Sequence, residues 1–203
     1  TPDEPPVSVR DATGVLTVPK MPEIEGIESF AGETVHTARW DDSIDLEGKR
    51  VAIIGTGASA IQVIPEIAPS VEHLTVFQRT PIWCLPRPDY ALPGTIRSLV
   101  GTLPFAHKAA RLAAHTFVES TFVIPAHWNR KLRMTKLFER QAKKFIADQV
   151  DDPELVAKLT PEYGIGCKRP SFHNSYLSTY NRENVTLETD PIAEVFPEGV
   201  RTE

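Results

Sequence analysis

The sequence predicts an α/β fold in which a helical insertion interrupts a parallel sheet. Three observations predict it: an apolar run ending in glycine at residues 49–55, a helical pattern directly after it, and a second apolar run at residues 74–77. Strand, helix and strand in this order form a βαβ unit, whose two strands lie parallel in one sheet. A chain of 203 residues is long enough to bury a core of this kind.

The first 45 residues are predicted to form a connector between domains. Prolines and glycines recur through them, among them Pro5, Pro6, Pro19 and Gly26, and such residues favour turns over regular elements. The sheet domain is expected to occupy residues 46–203.

The βαβ unit begins with the strand at residues 49–55, whose apolar run is typical of a buried parallel strand. A helix is predicted at residues 58–68, because Ile61, Ile64 and Ile67 recur at helical spacing, although Pro65 interrupts its hydrogen bonding. The second strand is predicted at residues 74–77.

A helical insertion is predicted from about residue 95 to residue 160. Helices are expected at residues 106–124 and 129–150, and a third is expected to begin at Pro153 with Asp151 and Asp152 before it. Short strands at residues 184–187 and 195–202 are then predicted to return the chain to the sheet.

Composition excludes several classes of partner. A net charge of -5 and a pI near 5.7 give no general attraction to nucleic acid or to anionic lipid. The apolar stretches are too short to cross a bilayer. Cys84 and Cys167 form no CxxC motif, which favours a reduced, cytoplasmic setting, and the histidines show no metal-ligand spacing.

A glycine-rich turn follows the first predicted strand. Its six residues match GxGxxG/A between a strand and a helix, the context that a dinucleotide site requires. The first glycine permits a tight turn, the second lets the backbone approach a pyrophosphate, and the final alanine keeps helix and strand close. The alternative is a tight turn without a ligand. The residues are Gly55, Thr56, Gly57, Ala58, Ser59 and Ala60.

The end of the second strand indicates which dinucleotide is bound. An acidic residue there accepts the ribose 2′-hydroxyl of NAD, whereas a cation suits the 2′-phosphate of NADP. This chain has Arg79 and Thr80 at that point. A guanidinium grips a phosphate through two parallel hydrogen bonds, so NADP is predicted, with a solvated surface arginine as the alternative.

The connector carries a more specific pattern. Residues 30–41 read FAGETVHTARWD, which fits FxGxxxHTxxW followed by Asp and resembles the fingerprint of type I Baeyer–Villiger monooxygenases. Other segments are similar to that family: ATG at residues 12–14, GTGASAIQ at residues 55–62, QRTP at residues 78–81 and CKRP at residues 167–170. The resemblance covers essentially the whole chain. It implies a Rossmann-like NADP-binding domain with a helical insertion, plus a remnant of an FAD domain.

The resemblance also implies roles for single residues. His36 matches the fingerprint histidine at the joint between flavin and NADP domains, although a lone loop histidine is more often a packing or capping residue. Gln62 belongs to the cofactor loop, and Lys168 joins Arg79 and Thr80 around the 2′-phosphate. Arg169 matches an arginine beside flavin and nicotinamide, where a permanent cation favours anionic oxygen species. The alternative for Lys168 and Arg169 is a solvated basic pair.

The implied activity uses NADPH, FAD and O2 to insert one oxygen atom beside a carbonyl or onto a soft heteroatom. The main flavin-binding fingerprint is absent from the sequence, so the chain is expected to be an internal fragment that does not hold FAD or act as an oxygenase by itself. Three alternatives stay open: a flavin monooxygenase that oxidises nitrogen or sulfur, a non-catalytic NADP-binding module, and a simple dehydrogenase. The last lacks a Tyr-x-x-x-Lys arrangement for proton transfer.

Overall fold

The computed structural model describes residues 18–41, 43–87, 89, 91, 93–120 and 134–203. The predicted ATG motif and the junction between the first two predicted helices of the insertion lie outside these residues. Two compact units are present: residues 46–189 form one, and the described residues up to Asp45 form the other with Asp190–Glu203. The predicted division at residue 45 as a boundary between flavin-domain and NADP-domain parts stays a prediction.

Seven strands and five α-helices make up the described chain. The strands are β1 (Arg50–Ile54), β2 (His73–Phe77), β3 (Cys84–Leu85), β4 (Ser171–Phe172), β5 (Val185–Glu188), β6 (Ile192–Phe196) and β7 (Gly199–Thr202). The helices are α1 (Ala58–Ile67), α2 (Gly94–Thr102), α3 (Pro104–Val118), α4 (Met134–Gln149) and α5 (Pro153–Leu159).

The main sheet of the larger unit has the order β1-β2-β5, and both pairings are parallel. This arrangement confirms the predicted βαβ unit and the α/β fold class, because α1 makes the crossover between β1 and β2. The prediction of a buried β1 is wrong. In the described residues β1 pairs with β2 alone, so it lies at the sheet edge and leaves Ile54 44% exposed.

Helix α1 packs on the sheet through the predicted apolar residues. Ile61 and Ile64 are almost completely buried, and they join Leu74 and Val76 of β2 in the core. The helix runs through Pro65 and ends at Ile67, where the Ala68 amide donates to the Ile64 carbonyl. A proline here removes one donor without ending the helix.

The insertion begins with two helices where the sequence predicted one. Helix α3 begins at Pro104, because a proline is well tolerated in the first turn of a helix. Helix α2 ends before it, because a proline inside a helix removes a backbone donor and clashes with the preceding turn. Further along, Asp152 accepts a hydrogen bond from the Glu154 amide and caps α5 at Pro153, which confirms the predicted start. None of the described helices combines the length and the apolar character needed to cross a membrane.

A second, very short parallel pair joins distant segments of the larger unit. Cys84 and Leu85 of β3 pair with Ser171 and Phe172 of β4. The pair extends on both sides, because the Ser171 amide donates to the Trp83 carbonyl at 2.8 Å and the His173 amide donates to the Leu85 carbonyl at 3.0 Å. The segment after the helical insertion therefore lies beside the segment that follows β2.

The smaller unit contains the hairpin of β6 and β7, which pair antiparallel in a sheet of their own. The prediction of a single strand at residues 195–202 that returns to the main sheet is therefore wrong, since a turn after Phe196 divides it. The connector packs against this hairpin: the Val195 amide donates to the Glu25 carbonyl at 2.8 Å. Gly26 has a φ of 75°, and a Cβ there would overlap the Val195 carbonyl oxygen.

Candidate nucleotide-binding site

The glycine-rich turn joins β1 to α1 and is held by the backbone. Gly55 has a φ of 98°, a conformation that favours glycine, and its amide donates to the Phe77 carbonyl at 2.9 Å. Gly57 is the N-cap of α1, and a Cβ built there meets no atom within 4 Å. The packing of the protein therefore does not require glycine at residue 57, and the space in front of it is free for a ligand.

The amino end of α1 suits an anion. The first turn of a helix leaves amide groups without helical partners and carries a partial positive charge. Ala58 and Ser59 are exposed there, whereas Ala60 is buried against the core. The burial of Ala60 agrees with a packing role, and the contacts of the other turn residues with a pyrophosphate stay a prediction.

A side-chain hydrogen bond ties this turn to the end of β2. Thr56 is buried, and its hydroxyl donates to the Thr80 carbonyl at 3.3 Å. The turn and the segment that carries Arg79 and Thr80 are therefore neighbours in space.

A concavity of about 530 Å³ opens beside the end of β2. Its walls come from three places in the larger unit: the segment after β2, the last turn of α5 with the loop that follows, and the residue after β5. The lining residues are Gln78, Arg79, Thr80, Pro81, Ala157, Lys158, Thr160, Glu162, Tyr163 and Thr189.

Arg79 and Thr80, which the sequence predicts to contact the 2′-phosphate, both lie in the wall of this concavity, and the contact itself stays a prediction. The Arg79 side chain is exposed, and no carboxylate in the described part of the chain pairs with it. Its charge is therefore available to an anion.

Gln78 connects two of the segments that line the concavity. Its side chain is buried, and its amide nitrogen donates to the Lys158 carbonyl at 2.8 Å. This bond connects the end of β2 to the end of α5, and both of these segments line the concavity. The other amide atom, Oε1, has no hydrogen-bond partner among the described residues.

Lys168 does not line the concavity itself, but it lies over the ring of Tyr163, which does. The Lys168 ammonium lies 5.0 Å from the centroid of the Tyr163 ring, within the range of a cation–π interaction. The Tyr163 hydroxyl donates to the Pro81 carbonyl at 2.9 Å, and burial raises the pKa of Tyr163 above its ordinary value. Residues that are far apart in sequence therefore meet around one side chain.

Arg169 lies outside the wall of the concavity. It is exposed, it precedes β4 by two positions, and it has no ion pair within the described ranges. The pairing of β4 with β3 fixes the backbone near it. Arg169 is therefore not among the residues that line the concavity with Arg79.

His36 belongs to the smaller unit, and its side chain caps a short 3-10 helix at Thr37–Arg39. Its Nδ1 accepts a hydrogen bond from the Ala38 amide at 3.1 Å. This contact is the capping role that residue type alone favours for a loop histidine.

Sequence reasoning missed three residues of the site: Gln78 as a structural link, Lys158 and Tyr163. Lys158 carries a cation into the wall and pairs with Glu154 at 3.0 Å. No spacing rule connects residues 158 and 163 with a strand eighty positions earlier, so only the fold reveals them. No cluster of three or more potential metal ligands occurs in the part of the chain that the structure describes.

Comparison with known proteins shows that the chain is similar to flavin-dependent monooxygenases. The family model described as flavin-binding monooxygenase-like matches residues 7–93. A Baeyer–Villiger monooxygenase of Streptomyces coelicolor is 43% identical over 92% of this chain. Another from Pseudomonas aeruginosa is 39% identical over 95% of it. The chain spans 36% of the length of each of these relatives.

A solved structure agrees with this likeness. The crystal structure of OTEMO in complex with FAD and NADP superposes with a TM-score of 0.76 at 30% identity. The match covers 94% of this chain and 43% of that one.

Proposed function

We propose that this chain belongs to the flavin-binding monooxygenase-like family, whose model matches residues 7–93, and that it forms the NADPH-binding part of a monooxygenase of the Baeyer–Villiger type. The full-length protein inserts one oxygen atom from O2 into a ketone. NADPH supplies the hydride that reduces the flavin. The chain spans 36% of the length of each named relative, so the proposed activity is that of the longer protein.

The observation that carries the proposal is that two cations remote in sequence are each connected to one concavity at the end of β2. Arg79 lines the concavity, and Lys168 lies over a ring that lines the same concavity. Thr56 links the turn to this place through Thr80. A dinucleotide with an extra phosphate needs this combination of a turn for the pyrophosphate and a cationic patch beside it.

The residues present fit NADP, and each has a proposed contact. The turn from Gly55 to Ala60 and the exposed amides of α1 face the pyrophosphate, with Gln62 in the first turns of the helix. Arg79, Thr80 and Lys168 face the 2′-phosphate. NAD lacks that phosphate, so the same cations make NADP the preferred dinucleotide.

Arg169 is proposed to act in the oxygen chemistry and not in holding the 2′-phosphate. Its guanidinium is exposed and has no carboxylate partner in the described ranges, so it can stabilise a negative charge that develops on oxygen. His36 is proposed to affect domain movement and catalysis through the turn that it caps.

The described residues hold a single glycine-rich dinucleotide turn, and we assign it to NADP. We therefore propose that FAD is bound mainly by other parts of the full-length protein. Neither cysteine forms a disulfide in the structure, which supports a cytoplasmic setting.

The test is an Arg169→Ala change in the full-length protein, supplied with NADPH, O2 and a cyclic ketone. We expect reduction of the flavin by NADPH to continue, while formation of the ester falls by about tenfold or more. An Arg182→Ala change gives a control, because Arg182 is also an exposed arginine and does not line the concavity. Unchanged ester formation in the Arg169→Ala protein would contradict the role of Arg169.

The same assay separates the alternatives. A flavin monooxygenase of the heteroatom-oxidising kind converts an organic sulfide to a sulfoxide and leaves the ketone unchanged. A non-catalytic module binds NADPH but consumes no O2 with any substrate. Only ester formation supports the proposal.

A further inference from the structure

We propose that Tyr163 is a positioning residue for NADP selectivity, which holds the Lys168 ammonium toward the concavity that Arg79 lines. This inference rests on the proposed function, because it takes the concavity as the site of the 2′-phosphate. Tyr163 carries no charge and is not expected to touch the phosphate. It acts through the lysine above its ring.

Tyr163 is fixed on three sides. Its hydroxyl donates to the Pro81 carbonyl at 2.9 Å, and its own carbonyl accepts from the Trp83 indole nitrogen at 2.9 Å. The two rings meet edge to face, with centroids 6.4 Å apart and planes at 79°. Trp83 is itself 1% exposed, so the support beneath Tyr163 belongs to the core.

These contacts reach the segment that carries Arg79. Pro81 is two residues beyond Arg79, and it lines the concavity together with Arg79 and Tyr163. A shift of the Tyr163 ring would therefore move the platform of Lys168 relative to the guanidinium.

Lys168 needs such a platform. A lysine has a flexible stem, and an exposed ammonium loses rotamer freedom when it binds a phosphate. Lys168 is exposed, and no carboxylate in the described ranges holds it. The face of the Tyr163 ring attracts the ammonium and limits where it can lie, which lowers the entropic cost of phosphate binding.

The backbone conformation of Gly166 contributes to the approach of Lys168 to the Tyr163 ring. Gly164 and Gly166 lie between Tyr163 and Lys168, and Gly166 has a φ of 98°. This left-handed conformation, which glycine adopts readily, turns the chain so that residue 168 returns over the ring of residue 163.

The test compares NADPH and NADH in the full-length protein, using the KM of flavin reduction and the dissociation constant of each oxidised nucleotide. We expect Tyr163→Leu to weaken NADPH binding by about fivefold and to leave NADH within about twofold. Tyr163→Phe keeps the ring and loses the hydroxyl, so its NADPH preference should stay within about twofold of the parent protein.

A double-mutant comparison with Lys168→Met shows whether Tyr163 acts through the lysine. If it does, Tyr163→Leu adds no further loss of NADPH preference once Lys168 has been replaced. A multiplicative loss in the double variant, or an equal loss for NADPH and NADH in Tyr163→Leu, would overturn the inference. A lowered melting temperature without a change in preference would likewise show a structural role alone.

The two proposals fail in different ways. If the parent protein uses NADPH and NADH equally well, the proposed NADP site is wrong. If the parent protein prefers NADPH and Lys168→Met removes that preference while Tyr163→Leu keeps it, only the role of Tyr163 is wrong.

Discussion

The hydroxyl of Thr56 donates a hydrogen bond to the carbonyl of Thr80 at 3.3 Å and so joins the glycine-rich turn to the segment after β2. Thr56 is 7% exposed, so water has little access to replace this bond. The side chain of Thr56 therefore fixes the position of the glycine-rich turn relative to the segment that carries Arg79 and Thr80.

Replacing Thr56 by valine should loosen this link. The change keeps the branched shape, removes the donor and leaves the Thr80 carbonyl without it, so we expect the free energy of unfolding to fall by about 1 kcal/mol. NADPH binding should weaken several-fold, because Arg79 and Thr80 are no longer held in a fixed position relative to the glycine-rich turn. Urea unfolding and nucleotide titration measure the two effects. Thr56→Ser retains the hydroxyl and should behave like the parent protein in binding; equal losses in both variants would contradict the importance of the bond.

Replacing Arg79 by alanine should change cofactor preference more than turnover. The guanidinium has no carboxylate partner in the described ranges, so its loss removes attraction to the 2′-phosphate without breaking an ion pair. Because hydrogen bonds between charged groups are strong, their loss should raise the KM for NADPH by about tenfold to hundredfold. The KM for NADH, which has no 2′-phosphate, should change little. Arg97→Ala, at an exposed arginine of α2, is the matched control. A parallel rise for both nucleotides would argue against the 2′-phosphate contact.

The two glycines of the turn should respond differently to alanine. Gly55 has a φ of 98°, so Gly55→Ala strains the backbone, and we expect a loss of about 1–3 kcal/mol in stability. Gly57 has a φ of -71°, and open space surrounds its missing Cβ. Gly57→Ala should therefore fold normally but bind NADP much more weakly, because the methyl group occupies the approach to the pyrophosphate. Thermal unfolding and nucleotide titration separate the two; tight NADP binding by Gly57→Ala would count against the assignment.

The larger unit should lose stability at alkaline pH. Burial raises the pKa of the Cys84 thiol from 9.0 to about 11, and burial also raises the pKa values of Tyr176 and Tyr180, whose hydroxyls lie 2.9 Å apart. Unfolding lets these groups release protons at lower pH than the folded state does. The protonated Cys84 thiol therefore contributes fully to the free energy of unfolding below pH 9.0, and this contribution is lost as the pH rises to about 11.

Urea unfolding from about pH 8 to about pH 11 measures this loss. Cys84→Ala removes one of the groups, so its decline over this range should be smaller by roughly 2–3 kcal/mol. Identical declines for the variant and the parent protein would show that the thiol does not contribute.

The elements that depend on neighbouring residues were predictable from the sequence. The strand, glycine turn and helix from residue 49 to residue 68 follow from local patterns, and the structure confirms them within one residue at most ends. The start of α5 at Pro153 was predictable for the same reason, because Asp152 supplies a cap within two residues.

The rest depends on contacts between distant segments. Two-residue strands such as β3 and β4 have no periodicity that a sequence pattern could show. The position of Tyr163 under Lys168 depends on a hydrogen bond to Pro81, eighty-two positions away. The position of β1 at the edge of the sheet likewise depends on which strands pair with it, and this is not visible in its own residues.

The packing of the connector on the final hairpin has a practical consequence for protein engineering. Gly26 admits no side chain beside Val195, and the Ala31 amide donates to the Pro197 carbonyl at 3.0 Å, so residues near both ends of the described chain form one unit. The intervening stretch, residues 46–189, is inserted between them as a cassette. Chimeras that exchange cofactor preference between related enzymes should therefore be cut at both of its borders together. A single crossover within the stretch would pair a connector from one parent with a foreign hairpin.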